Sequence, residues 1–182
     1  GGGVWGRSAA APPQHDVTPH PVVGPAWQVW LETSAVAVAM RQWLWLYPVV
    51  EIVHILGFVC VVGAAVMFDL RLLGFSRRLP ISTLAWHVLP WSWGGLVLVV
   101  PSGLLMFAAH ATEMAANPAF RLKLALLGVA GVNALFFERR TFRSVAGWDR
   151  DVGVPRAARV AAVVSLIAWA GVISCGRLLA YL

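Results

Sequence analysis

Four long apolar runs separated by short polar stretches organise most of the chain. They cover about residues 48–70, 84–109, 120–137 and 157–182. Each is close to the roughly 20 residues an α-helix needs to cross about 30 Å of hydrocarbon. The pattern predicts an all-α fold, a four-transmembrane-helix bundle occupying residues 42–182. Ahead of it, Trp27, Trp30, Leu31, Ala35 and Val38 gather on one side of a helical wheel, with Gln28, Glu32, Thr33 and Gln42 elsewhere. That spacing predicts an amphipathic helix over 26–41 lying in the membrane interface. Residues 1–25 mix Gly, Pro and Ala without an apolar period and are expected to be extended or disordered. The chain opens on Gly1 rather than Met, so a processed, truncated or tag-derived start is expected, and this segment is left out of the fold.

Boundary residues sharpen the four runs. Pro48 suits a first helical turn, where its missing N–H is no loss, and Gly74 suits a C-terminal stop. Pro90 and Pro101, the latter followed by Ser102 and Gly103, predict a kink or local loosening in the second helix. Asn117-Pro118 separates the second helix from the third.

Composition then fixes the solvent. The chain is 59% hydrophobic and 12% charged, against roughly 45–50% and about 25% in soluble domains, and its mean hydropathy is +0.75. An ordinary cytosolic enzyme, a disordered tail and a nucleic-acid-binding module are excluded. The net charge of +6 has a different origin: nine of the fourteen Lys and Arg residues lie in two loops, Arg71, Arg77 and Arg78 in one and Arg139, Arg140, Arg143, Arg150, Arg156 and Arg159 in the other. By the positive-inside rule both loops face the cytoplasm of a bacterial inner membrane, which places both chain termini outside. Trp43, Trp45, Tyr47, Trp86, Trp91 and Trp93 occupy interfacial belt positions. Cys60 and Cys175 sit in apolar runs and read as packing residues, and Asn133 as an interhelical hydrogen bond.

The candidate chemistry is what does not belong in lipid. Glu51 and His54 lie three apart on the first helix, roughly 10 and 6 Å to the outer side of its middle, and share a face. Ionisable groups at that depth are functional candidates by default. Arg121 and Lys123 open the third helix, Arg177 closes the fourth, and His110 and Glu113 end the second, so all approach the same outer half. Together they outline a polar pocket whose cations complement haem propionates or an anionic substrate. His54 is the candidate ligand of haem b, with Met106 or His110 opposite, or the hydrogen-bonding partner of a quinone. A metal path through His54, Met106 and His110, fed by His15, Asp16 and His20, is the competing chemistry. Neither Walker, GxSxG, HExxH nor GxGxxG patterns occur, which argues against a self-contained hydrolase or nucleotide enzyme.

The stretches LETSAVAVAMRQWLWLYPVVEIVHILG, DLRLLG, LPWSWGGL, PSGLLMF and NPAFRLKLALLGVAGVNALFFERR resemble a family of small bacterial four-helix integral membrane proteins known as a domain of unknown function. The resemblance covers about residues 30–145 and implies the membrane topology and a pattern containing Glu51, His54, Asp69, Arg71, Pro90, Arg121 and Lys123, without an established activity. A looser similarity is to CopD-type copper-resistance domains and cytochrome b-like bundles. The expected function is a membrane subunit of a redox assembly with haem b or quinone at His54. The alternatives are a CopD-like copper or small-solute permeation protein, with His54 and His110 as metal ligands, and a non-catalytic accessory or scaffold subunit. Expected partners are the lipid bilayer and other membrane or periplasmic subunits, with no nucleic acid.

Overall fold

The computed structural model describes residues 24–149, 153–179 and 181. The expectation of disorder for 1–25, and His15, Asp16 and His20 with it, falls almost wholly outside the described residues. The described residues form helices α1 (Ala26–Glu32), α2 (Ala35–Gln42), α3 (Leu46–Leu73), α4 (Ile81–Ala109), α5 (Ala111–Ala116), α6 (Pro118–Phe136) and α7 (Arg156–Leu178). Four helical stretches, α3, α4, α6 with its continuation to Thr141, and α7, are long and apolar enough to cross a membrane. This is a multi-pass membrane protein.

Local chemistry sets the ends. α3 stops at Gly74, whose φ of 107° is open to glycine. There the Phe75 N–H donates to Leu70 O at 3.0 Å and the Gly74 N–H to Arg71 O at 3.1 Å, the paired bonds of a Schellman motif. α6 starts on Asn117, whose Oδ1 accepts from the N–H groups of Ala119 and Phe120, with Pro118 in the first turn. α4 runs unbroken through both Pro90 and Pro101.

The segment expected as a single interfacial helix over 26–41 is two helices. It divides at Thr33-Ser34, where the Thr33 hydroxyl turns back to Val29 O and Ser34 Oγ accepts from the Ala37 N–H as an N-cap. Hydroxyl side chains that bond locally to the backbone offer the chain an alternative to helix continuation, and two in succession take it here.

The long helices stand in the order α4, α3, α7, α6, each packing on the next. Among the described residues no Cα of α6 comes within 8 Å of a Cα of α3 or α4. At one end α1, α2 and α5 pack over the helix termini, and Ala37, Met40 and Ala111 are buried there. We call this the cap end. At the opposite, arginine end, a π-helical turn (Phe137–Thr141) and a 3-10 turn (Phe142–Gly147) follow α6. A cluster of Leu72, Ile81, Trp148, Ala158 and Ala162 packs that end.

Candidate functional site

The contact between α3 and α4 is made by backbone against backbone. A Cβ built on Gly57 would lie 2.8 Å from Val99 N and 2.9 Å from Gly95 O, and one on Gly95 would lie 2.7 Å from Gly57 O. Such closeness is available only to small residues, and it brings the next turn of α3, carrying His54, against α4. There His54 Nδ1 meets Val99 O at 3.1 Å and Ser102 Oγ at 3.1 Å. The Ser102 hydroxyl has one proton and donates it to Leu98 O at 2.6 Å. Toward His54, therefore, both neighbours are acceptors, and the network assigns the proton to Nδ1. Nε2 then carries a lone pair and has no hydrogen-bond partner among the described residues. Gly103 completes the seat: a Cβ there would stand 3.0 Å from His54 Cε1.

α6 contributes from across the gap. Lys123 is within electrostatic reach of His54 and of Cys175 on α7, and its Nζ lies 3.9 Å from where a Cβ on Gly176 would be. One turn nearer the cap, Phe107 of α4 stacks on Phe120 of α6 with centroids 5.4 Å apart and planes 5° from parallel, bridging helices whose backbones do not meet.

The remaining sequence-predicted residues do not gather around His54. Glu51, expected on its face, is exposed on α3 and, like Lys123, within electrostatic reach of the His54 ring; three residues of helix leave about 60° between side chains, so the carboxylate does not share the contact with α4. His110 caps α4, with Nδ1 3.8 Å from Glu113 and its ring edge-on to Tyr47 at 5.8 Å. Tyr47 lies seven residues before His54, so His110 sits about 10 Å further along α3. The pair expected as metal ligands is thus separated, because α4 ends in register with the start of α3. Arg121 is exposed and donates Nε to Ala115 O at 2.8 Å. Arg177, also exposed, donates to Tyr181 Oη at 2.6 Å and lies 5.0 Å from its ring centroid. Met106 is half-buried on α4. Among the described residues no three His, Cys, Asp or Glu side chains form a metal-holding group. A groove of about 390 Å³ lies elsewhere, at the arginine end, lined by Leu135, Glu138, Arg139, Phe142 and Arg143.

Ser102, Gly103 and the Val99 carbonyl form the His54 seat without having been singled out for it from the sequence. The signal lies in Pro101-Ser102-Gly103, a hydroxyl and a glycine inside an apolar span, which by themselves indicate a kink and, at Gly103, close helix approach. The cap holds a further polar set: Glu32 Oε2 accepts from Thr112 N at 3.1 Å and Thr112 Oγ1 at 2.7 Å, while Arg41 donates to Ala109 O at 2.7 Å and Glu32 O at 2.8 Å.

The model of a family of unknown function, DUF6644, matches residues 27–182, and the chain belongs to that family. No curated protein and no solved structure matches it.

Proposed function

We propose that this DUF6644 protein is an integral membrane subunit of a redox assembly, and that His54 Nε2 holds haem b or a quinol near the cap end. The observation that carries this reading is the placement of His54 Nδ1 3.1 Å from both Val99 O and Ser102 Oγ, from which the proton is assigned to Nδ1 and the lone pair to an oriented Nε2. Metal-binding histidines characteristically donate their second ring N–H to a carbonyl or carboxylate, which fixes the ring and raises its basicity. An unprotonated Nε2 ligates iron or accepts a quinol hydroxyl; a quinone carbonyl would instead require a donor. Lys123, in electrostatic reach of the ring, supplies the positive charge that a propionate or quinol anion would meet. Arg121 and Arg177 belong to the headgroup region in this reading, being exposed. The positive-inside bias further argues that the arginine end is cytoplasmic and the cap end periplasmic in a bacterial inner membrane.

The accessory-subunit reading has one observation in its favour: the same Nδ1 bonds join α3 to α4, so His54 could serve as a helix clip alone. Optical spectra of the detergent-purified protein, oxidised and dithionite-reduced, separate the two. A Soret band with a reducible α band, absent in His54→Ala, is expected for haem; a colourless protein that co-purifies with quinol, and loses it in His54→Ala, is expected for the quinol. A protein expressed with ample haem that retains neither overturns the redox reading and leaves the clip.

A further inference from the structure

The arginine half of α3 holds a second ionisable group, Asp69, only 6% exposed and within an apolar span. Its Oδ2 is buried without a hydrogen-bond partner, and the polar side chain beside it is Ser165 of α7. No cation compensates it among the described residues. Arg71, two positions on and 5% exposed, donates Nε to Leu79 O at 2.6 Å and Nη2 to Arg77 O at 3.1 Å, clasping its own loop instead. From α7, Arg156 and Arg159 are exposed. From α4, Ile81 and Ala85 are buried, while His87 is exposed and engages Thr83 O. From α6, Asn133 donates to Ala161 O at 2.9 Å. Phe68 and Leu72, which flank Asp69 on its own helix, belong to the apolar packing of this end.

An isolated carboxylate in such surroundings is strongly disfavoured, so some positive charge must accompany it or it must be neutral. Metal cations such as Ca²⁺ and Mg²⁺ take about six or more oxygen ligands, whereas here one hydroxyl stands by and no three acidic or metal-binding side chains converge among the described residues. A proton needs one oxygen. We propose that Asp69 is an intramembrane proton site, a carboxylic acid beside Ser165 whose O–H bond breaks and re-forms by exchange with water. Asp69 lies four residues, about 6 Å, from the arginine end of α3, which gives the proton a short route. It lies fifteen residues from His54, about 22 Å along the helix, and the site does not depend on the cofactor reading.

Infrared spectroscopy of the full chain in liposomes at neutral pH tests this directly. The expected spectrum contains the carbonyl stretch of a protonated carboxylic acid; it vanishes in Asp69→Asn, moves to higher frequency in Ser165→Ala, and shifts down in deuterium oxide. Wild-type protein without that band overturns the proposal. So does a band that survives Asp69→Asn unchanged, or one that stays unshifted after prolonged deuterium exposure, which would mark a sealed structural acid. Should Asp69→Asn fail to fold, Ser165→Ala, which keeps the acid, assigns the band through its frequency change, and a band unmoved in Ser165→Ala overturns the proposal.

Discussion

At the scale of single residues, the orientation of His54 is set by three neighbours on α4 that act differently. Val99 O and Ser102 Oγ both accept from Nδ1, so Ser102→Ala leaves one acceptor in place and is expected to cost about 1 kcal/mol in a thermal melt while the proposed cofactor is retained. Gly103→Ala acts on the ring itself: with a Cβ 3.0 Å from Cε1, the imidazole must shift by a few tenths of an ångström. On the proposed redox reading, the expected result is weakened cofactor retention and a displaced reduction midpoint, measured by redox titration, with little change in folding. His54 and Glu51 were legible in the sequence as ionisable groups out of place, but their angular separation was not. A one-dimensional spacing of three says that two side chains are near each other and does not say which neighbouring helix either one meets.

At the scale of elements, the α3–α4 seam rests on Gly57 and Gly95, and position 95 differs sharply from position 94. A Cβ at Gly95 meets backbone of α3 at 2.7 Å, whereas one at Gly94 meets nothing within 4 Å. Gly95→Ala is therefore expected to push the helices apart and destabilise the fold by roughly 1–3 kcal/mol, with Gly94→Ala near neutral, both measured by thermal or denaturant unfolding in detergent. Gly171→Ala should fall between them, since its Cβ meets a side-chain methyl of Leu126 at 2.7 Å, which can rotate away. The long helices were readable from apolar run length because lipid imposes that length on every span. The division of the segment after Pro25 was not, because an apolar stripe continues across Thr33 and Ser34 while their hydroxyls cap and end the helices locally. The two short helices are held to the cap by Arg41 and Glu32, and Arg41→Ala is expected to speed amide hydrogen exchange across Ala26–Gln42 while leaving the exchange of α3 and α7 unchanged.

At the scale of the whole molecule, the order α4, α3, α7, α6 leaves α6 joined to the first two long helices near the cap by the Phe107–Phe120 stack rather than by backbone packing. Helix order of this kind could not be read from four apolar runs, whose connecting loops permit several arrangements. The charge distribution was legible, and it sets the expected orientation: in a background without Cys60 and Cys175, Glu113→Cys at the cap should react with an impermeant maleimide on intact cells, and Arg143→Cys should react only after permeabilisation. The reverse pattern would invert the topology. The most direct test of the central reading separates the two nitrogens of His54. The substitution His54→Asn places an amide N–H where Nδ1–H stands and removes Nε2, so the bond to Val99 O can persist while the ligand is lost. If Nε2 holds the redox group, His54→Asn purifies as a folded protein that melts cooperatively, below the ligand-loaded wild type by the stabilisation the ligand supplied, and without the haem spectrum or quinol of the wild type. A folded His54→Asn protein that keeps either one undiminished contradicts that reading.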